Sequence, residues 1–543
     1  MLYQGCEKMD NNFESKIKLG EIHEKNGDND SSLKCYRSAY DIAVLLENKK
    51  YQVDALVKIV EGYYFKGEIE KSTKYAQVAE EILKNIDYDK GKLDISLYFI
   101  KVYYIKKEYY KAREIGNEAL KLCTEEHIIY KGRILNSLAY LYCEITSIDE
   151  HLDLLKQSLE CFEEANFLRG ILGVLNNIGV AYAEKLQNNE KALEYFFKLK
   201  ERSEDSNYLE FNVFAYFNIG EVYFKCLRFD EALSLIESAL DKAKGANFEA
   251  MVFHSYAILI SINLSLNNYK QAYYYFNLAN EELETYPEQG VGLPWFYKAV
   301  ASLFFKFGEI HKAKYNINKA MDTLDNGESI IKWNTGIVYE FIRLEESKNK
   351  MEILGALEGI RYILSKYKNH EVILDIVSDV VLELMELNYQ ELAFKLVDEY
   401  RNIKVENGFT RLKLLYIKAL RCDNEEKEKM LQSALKLEAE IQNNKLHIKI
   451  CSSLGEYYFN QDNYDKALKY YVDACRQMKN VILNVPKEYR IQFINSNNLY
   501  QQFNMIIQMK KHYSRVNIND IKQYGCINSE DELIEFLKGL DEF

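Results

Sequence analysis

The sequence predicts an all-α protein built from about a dozen helical hairpins. Residues 175–199, 217–240 and 453–474 share one spacing pattern. In each stretch a small residue is followed by an aromatic residue three positions later, and then by a second small residue with a bulky residue four positions after it. Bulky residues at steps of three and four, with a polar break between them, indicate two helices joined by a turn. Only 3 of the 543 residues are proline, which favours long helices.

The second small residue opens the second helix of each hairpin, and it can be followed along most of the chain. It falls at Ser32, Ser72, Ala112, Ser158, Ala192, Ala232, Ala272, Ala313, Ala356, Ala393 and Ala467. Most steps are roughly 40 residues, but the step to Ser158 is longer, and residues 144–156 are interpreted as an insertion. The gap between Ala393 and Ala467 predicts one degenerate hairpin, with residues 430–437 in its second helix.

The first small residue is a glycine in four well-marked repeats: Leu19-Gly20, Ile178-Gly179, Ile219-Gly220 and Leu454-Gly455. These motifs resemble the tetratricopeptide repeat (TPR) family. The resemblance implies a TPR-like solenoid, a right-handed superhelix in which the first helix of each hairpin lines the concave face. The spacing is longer than the usual 34 residues, and in this respect the chain is similar to a TPR subgroup that includes peptide-sensing regulators of Gram-positive bacteria.

The pattern divides the chain into four predicted segments. A lead-in covers residues 1–12, an N-terminal array 13–284, a C-terminal array 285–480 and a helical tail 481–543. Within the C-terminal array the repeats are degenerate over about residues 326–444.

Two places should interrupt or end the array. Residues 283–295 hold two prolines and two glycines, which predicts a longer joint between the two arrays. After Pro486 the tail is expected to form an amphipathic helix and then a short final helix over residues 529–543, opened by the capping box of Ser529 and Glu532. The apolar face of the amphipathic helix would be Phe503, Ile506, Ile507 and Met509. We expect this tail to cap the array.

Composition excludes several classes of function. The net charge of −13 makes direct nucleic-acid binding unexpected, because contacts with phosphate supply most of that affinity. The repeats begin by about Phe13, so no DNA-binding domain is expected before them. No run of 18 apolar residues and no signal peptide is found, which predicts a cytoplasmic protein without a membrane span. The ten cysteines include no CxxC pair and are interpreted as reduced, mostly buried thiols.

No motif for catalysis is found. The sequence has no phosphate-binding GxxxxGK[ST] loop, no GxSxG and no HExxH. The eight histidines are interpreted as isolated, without a partner at the spacing of metal ligands. The sequence therefore predicts no catalytic residue, no metal site and no cofactor.

The first helices carry the candidate binding residues. Asn136, Asn176, Asn177 and Asn218 stand just before the small residue of three consecutive hairpins. Because an amide both donates and accepts hydrogen bonds, such a ladder can hold the backbone of an extended peptide. The flanking candidates are Arg133, Tyr140, Phe217 and Glu221, with Arg133 suited to a terminal carboxylate. The alternative is that these asparagines only bridge adjacent hairpins.

These observations predict a non-enzymatic TPR scaffold that binds a peptide or protein partner in its concave groove. Two narrower hypotheses remain open. One is a peptide-responsive regulator of the quorum-sensing type, as the resemblance implies. The other is a regulatory subunit of a signalling or defence enzyme on another chain. The oligomeric state is open and includes a homo-oligomer.

Overall fold

The computed structural model describes residues 2–541 except 26–27, 146, 187, 205, 227, 285–291, 325–329, 368–369, 404, 406–407, 442–443, 498, 500–502, 505–506 and 508–525. The described residues form helices and connecting turns, with no β-strand among them. None of the described helices is long and apolar enough to cross a membrane. Contacts divide the chain into two compact units, Met1–Asn218 and Ile219–Phe543.

The helices pair into twelve hairpins among the described residues, which confirms the predicted all-α hairpin fold. Unit 1 contains α1 (Leu2–Lys25), α2 (Asn29–Leu45), α3 (Lys49–Phe65), α4 (Ile69–Leu83), α5 (Asp89–Ile105), α6 (Tyr109–Lys121), α7 (Ile128–Ile145), α8 (Ile148–Glu164), α9 (Leu168–Val180) and α10 (Asn189–Glu204). A π-helical turn, Ala181–Lys185, extends α9. The division between the units falls within α11 (Leu209–Lys225).

Unit 2 continues the series of hairpins and ends in shorter helices. It contains α12 (Phe229–Gly245), α13 (Glu249–Ser265), α14 (Tyr269–Leu283), α15 (Leu293–Lys306), α16 (Ile310–Asp322), α17 (Ile330–Glu346), α18 (Lys350–Leu364), α19 (His370–Glu386), α20 (Gln390–Glu399), α21 (Gly408–Ala419), α22 (Asn424–Ile441), α23 (Asn444–Asn460), α24 (Tyr464–Leu483), α25 (Arg490–Ser496) and α26 (Glu530–Asp541). The degenerate hairpin is α21–α22, which includes the predicted residues 430–437.

The repeated spacing arises from close packing inside each hairpin. Gly179 on α9 faces Phe196 on α10, and a Cβ atom at Gly179 would overlap the ring. Gly455 on α23 faces Tyr471 on α24 in the same way. The eleven predicted small residues are all buried, and ten of them lie at the start of a second helix. The motif therefore marks the positions at which two helices lie too close together for larger side chains.

The turns inside the hairpins also repeat. The second residue after the first helix has a positive φ at Gly67 (74°), Lys107 (60°), Asn267 (57°) and Gly308 (77°). Glycine adopts this left-handed conformation without strain, whereas a lysine there is strained. The following backbone N–H then bonds a carbonyl of the preceding helix, as from Glu68 to the Tyr63 oxygen at 3.0 Å.

The predicted insertion before Ser158 is wrong. Helix α8 begins at Ile148, so its fourth residue is His151, and His151 is buried at the position that Ala112 and Ala192 occupy in their helices. Its Nδ1 lies 2.7 Å from the Ala139 carbonyl oxygen, twelve residues back. Ser158 lies seven residues further along α8, about two helical turns, and is buried on the same face. The repeat length is therefore preserved, and the sequence pattern missed it because a histidine replaces the small residue.

The predicted joint separates two helices of unit 2. Helix α14 ends at Leu283 and α15 begins at Leu293, with Pro294 in its first turn. Trp295 lies in α15 rather than in the joint. Residues 285–291, the middle of the joint, lie outside the described residues.

The first part of the tail folds back onto the middle of unit 2. Residues 484–496, here called the clasp segment, include a 3₁₀ turn and α25. The Tyr489 ring stacks on Phe307 with a centroid distance of 4.9 Å and meets Tyr273 edge-on at 5.4 Å. Phe493 packs edge-on against Tyr269 at 5.2 Å. The clasp segment thus connects the end of α24 to hairpins that lie about two hundred residues earlier in the chain.

Polar contacts fix the clasp segment to the turns of those hairpins. Asn484 Nδ2 donates to the Asn267 carbonyl at 3.1 Å, and Gln492 Nε2 donates to the Gly308 carbonyl at 3.1 Å. Both acceptors are carbonyls of the left-handed turn residues. This part of the tail therefore does more than cap the final hairpin.

The remaining described tail residues pack near the final hairpin. Helix α26 contacts α24, and its Phe536 meets Phe503 edge-on at 4.8 Å. Phe503 and Ile507 are fully buried, as expected for the apolar face of the tail helix. Ile506 and Met509, the other two predicted members of that face, lie outside the described residues.

Candidate functional site

The four candidate asparagines link three consecutive first helices. Asn177 on α9 donates through Nδ2 to Oδ1 of Asn136 on α7 at 3.1 Å. Asn218 on α11 donates through Nδ2 to Oδ1 of Asn176 on α9 at 2.8 Å. The adjacent pair on α9 therefore reaches in both directions, one amide to each neighbouring hairpin. These asparagines therefore do bridge adjacent hairpins.

The amides of these asparagines keep hydrogen-bonding groups that the bridging bonds do not use. An Asn–Asn hydrogen bond consumes one donor and one acceptor, so each pair keeps one amide donor group and one carbonyl oxygen. Among the described residues no partner is found for Nδ2 of Asn136 or Oδ1 of Asn177, and all four side chains are partly exposed. Each pair thus presents the same groups as one peptide unit, which are the groups that an extended backbone can bond.

Arg133 and Tyr140 lie on α7 on either side of Asn136. The Arg133 guanidinium is exposed and lies over two rings, 5.5 Å from the centroid of Phe167 and 5.8 Å from that of Tyr130. These contacts hold its position without neutralising it, and its positive charge acts against the rise in the pKa of Asp94 that burial causes. Tyr140 is 42% exposed, yet burial of its hydroxyl raises its pKa to about 12. A cation and an aromatic ring thus accompany the amides.

The other two candidates differ in their surroundings. Phe217 is 2% exposed, so its ring belongs to the core of the hairpin rather than to an accessible surface. Glu221 lies in unit 2 and pairs with Lys225 at 3.2 Å. Burial alone would raise the pKa of Glu221, but the charges of Lys225, His254 and Lys298 outweigh it and lower that pKa.

Hydrogen bonds between two acidic residues of the preceding first helices and the next hairpin were not predicted. Asp54 on α3 accepts hydrogen bonds from Tyr88 Oη at 2.6 Å and from Lys90 Nζ at 3.0 Å. Asp94 on α5 accepts one from Tyr130 Oη at 2.9 Å, and burial raises the pKa of Asp94. The Lys90 and Tyr130 contacts join residues 36 positions apart. A search for opposite charges at that separation would have found Asp54 and Lys90 but not the Tyr130 contact, because tyrosine is neutral.

One group of residues could hold a metal ion, contrary to the interpretation of every histidine as isolated. His447 and Cys451 lie four residues apart on α23, and Asp473 on α24 lies beside them. Glu438 on α22 contacts the other nitrogen of His447. Hydrogen bonds with Cys451 and Glu438 raise the pKa of His447 to about 11, and burial raises the pKa of the Cys451 thiol. The i, i+4 spacing was visible in the sequence, but the approach of Asp473 was not.

Comparison with known proteins identifies the fold. No family model matches the sequence, and no curated protein matches it significantly. The crystal structure of the APC/C hetero-tetramer Cut9–Hcn1 aligns over 97% of this chain and 96% of that one, at 12% identity and a TM-score of 0.50. The fold is that of a TPR-like solenoid. This likeness confirms the predicted fold class and extends to the fold alone.

Two further solved structures align with the chain at lower TM-scores. The apo quorum sensor NprR from B. thuringiensis aligns over 66% of this chain and all of that chain, at 16% identity and a TM-score of 0.44. A Rap protein complexed with competence and sporulation factor aligns over 73% of this chain and 97% of that one, at 14% identity and a TM-score of 0.40.

Proposed function

We propose that the protein is a non-enzymatic scaffold that binds an extended peptide, free or as part of a protein partner, along the first helices α7, α9 and α11. In a TPR-like stack these helices line the inner face. The two Asn–Asn pairs carry the proposal, since each spans two hairpins and keeps one donor and one acceptor for a ligand. Arg133 supplies a positive charge at one end, and Tyr140 supplies an exposed ring.

The spacing of the helices sets the length of the ligand. Neighbouring packed helices lie about 10 Å apart, and an extended chain covers that distance in about three residues. A peptide of roughly five to ten residues therefore spans the three helices with some overhang. Because the amides bond the backbone, the contacts of these residues do not depend on the peptide's sequence.

Arg133 gives the ligand a direction. A guanidinium can bond both oxygens of a carboxylate, and no hydrogen-bonding partner of the Arg133 guanidinium is found among the described residues. We propose that it receives the C-terminal carboxylate of a free peptide or an acidic side chain of a protein segment. Such a contact weakens as salt rises, because the site is exposed.

A peptide display experiment tests the proposal. Random ten-residue peptides with free C-termini are selected on the immobilised full chain, and individual binders are then measured by calorimetry. We expect one binding site per chain, several-fold weaker binding in Asn177→Ala and in Asn218→Ala, and weaker binding when the peptide C-terminus is amidated. Asn117→Ala is the matched control, since Asn117 is exposed on the second helix α6.

Two results would count against the proposal. One is that no peptide is enriched over an unrelated helical protein. The other is that the selected peptides bind Asn177→Ala and Asn218→Ala as tightly as wild type, which would place the binding surface elsewhere.

The proposed binding requires no catalytic group. The regulator and enzyme-subunit hypotheses differ in the partner on which the chain acts. A regulator binds its free peptide as an isolated chain, whereas a subunit co-purifies from its host with an enzyme whose rate depends on this chain. Turnover of ATP, peptide or phosphoester substrates by the purified chain above background would contradict the non-enzymatic proposal.

A further inference from the structure

Three potential metal ligands converge on one side of the hairpin α23–α24. His447 Nε2 lies 3.1 Å from Asp473 Oδ2 and 3.4 Å from Cys451 Sγ. Cys451 Sγ lies 3.9 Å from Asp473 Oδ2. A tetrahedral zinc ion with bonds of about 2.0–2.3 Å keeps its ligand atoms roughly 3.3–3.6 Å apart. The triangle therefore fits one such ion with shifts of a few tenths of an ångström.

The supporting contacts are those that metal sites require. Glu438 Oε2 lies 2.5 Å from His447 Nδ1, and its side chain is only 5% exposed. A carboxylate on Nδ1 holds a proton there, so Nε2 is the nitrogen that gives up its proton to bind the metal. Arg476 Nη1 lies 4.0 Å from Asp473 Oδ1. That oxygen is not the one that approaches His447 and Cys451.

The ligand types select the class of ion. A thiolate and an imidazole favour zinc and neighbouring transition metals, whereas magnesium and calcium prefer oxygen alone. Cys451 is fully buried and Asp473 is 38% exposed, so the triangle is closed on the sulfur side and open to water on the carboxylate side. Three protein ligands with an open fourth position suit a zinc ion that also holds water or a partner's side chain.

We propose that His447, Cys451 and Asp473 form a site for one zinc-class transition-metal ion, with Glu438 as the residue that orients His447. The ion joins α23 to α24 within one hairpin, and the orienting carboxylate comes from α22. It therefore stabilises the helix from which the clasp segment continues. This site does not depend on the peptide-binding proposal, because it uses different residues and a different ligand.

Cobalt provides the direct test. The full chain is stripped with a chelator under reducing conditions and titrated with Co²⁺ and then with Zn²⁺. We expect one Co²⁺ per chain, visible bands of a tetrahedral site, a near-ultraviolet sulfur-to-metal band, and loss of all of them when Zn²⁺ is added. Zn²⁺ should also raise the melting temperature.

Substitutions distinguish metal binding at this site from nonspecific metal binding by other cysteines. Cys451→Ser should abolish the sulfur band and weaken metal binding by at least about 100-fold, and Glu438→Gln should weaken it about 10- to 100-fold while keeping the band. Cys422→Ser is the control, because Cys422 is a partly buried cysteine that lies outside the triangle. Circular dichroism of each stripped variant checks that it is folded.

Two outcomes would overturn the proposal. The first is a stripped, folded wild-type chain that takes up no Co²⁺ or Zn²⁺ at micromolar concentrations, in which case the triangle is only a hydrogen-bonded ion-pair network. The second is a cobalt spectrum that is the same in Cys451→Ser as in wild type, which would place the metal elsewhere.

Discussion

Tyr36 and Tyr471 occupy the same position of the repeat, with their rings against Gly20 and Gly455, but their hydroxyls differ. Tyr36 Oη donates to Glu24 Oε2 at 2.6 Å, whereas the buried Tyr471 Oη has no partner among the described residues. We expect Tyr36→Phe to lower the free energy of unfolding by about 1–2 kcal/mol, and Tyr471→Phe to leave it unchanged or raise it by up to about 1 kcal/mol. Urea unfolding of both variants measures this. A larger loss in Tyr471→Phe than in Tyr36→Phe would contradict it.

His254 should make unit 2 sensitive to acid. Burial and the charges of Lys298 and Lys225 lower the pKa of His254 to about 4, while Glu221 opposes the shift. The unfolded chain takes up a proton near pH 6.5 and the folded chain only near pH 4, so stability falls as the pH drops through that window. We expect a loss of about 2 kcal/mol between pH 7.5 and pH 5 from this residue.

The histidine contribution can be isolated by substitution. Urea unfolding at pH 7.5 and pH 5 should show a smaller pH effect in His254→Gln, by about 2 kcal/mol. His311→Gln, at an exposed position of α16, should show the same pH effect as wild type. An unchanged pH effect in His254→Gln would mean that the ring is protonated in the folded state.

At the scale of the helix pair, two glycines of α9 should respond in opposite ways to alanine. A Cβ atom at Gly179 would overlap the Phe196 ring, whereas one at Gly173 would lie 3.7 Å from Phe211 in ordinary contact. Overpacking costs about 1–3 kcal/mol, and alanine gains up to about 1 kcal/mol in a helix. We expect Gly179→Ala to lower the melting temperature and Gly173→Ala to raise it. If both variants raised the melting temperature, helix propensity rather than packing would determine the effect of alanine at these positions.

The clasp segment contacts hairpins that lie about two hundred residues earlier in the chain. Tyr489→Ala removes a ring packed on Phe307 and Tyr273 and should cost about 3–4 kcal/mol. Hydrogen exchange should then quicken in α14 and α16. Tyr489→Phe is the control and should cost little, because the nearest hydroxyl contacts, at 3.4 and 3.5 Å, are long for hydrogen bonds. Unchanged exchange in Tyr489→Ala would mean that the segment does not hold these hairpins.

An element could be predicted from the sequence when the residues that contact each other lie close together in the chain. The hairpins and their small residues were predictable, because the glycine and the bulky residue that meet lie within one repeat. His151 was missed because it fills a small-residue position with a ring that bonds the Ala139 carbonyl. The clasp contacts were out of reach, since Asn484 and Asn267 are 217 residues apart. Asp473 lies only 26 residues from His447, in the same hairpin, and was missed because no sequence motif marks a carboxylate on the second helix as the partner of the His447–Cys451 pair.

For the molecule as a whole, the proposed function rests on side chains that join hairpins and still face a ligand. The Asn136–Asn177 and Asn176–Asn218 bonds support both the bridging and the binding roles. Each bond contributes about 1 kcal/mol to stability. Stability measurements alone therefore cannot separate the two roles, and a ligand must be measured in parallel.

The most direct measurement is calorimetric titration of a selected peptide into wild type, Asn136→Ala, Asn176→Ala, Asn177→Ala, Asn218→Ala and Arg133→Ala, with the melting temperature of each recorded. If the amides bond the peptide backbone, each asparagine variant should lose several-fold in affinity, about 1 kcal/mol. Arg133→Ala should lose more, and the difference should shrink as salt rises. Unchanged affinities together with lowered melting temperatures would show that the asparagines only bridge hairpins, and would contradict the proposed binding surface.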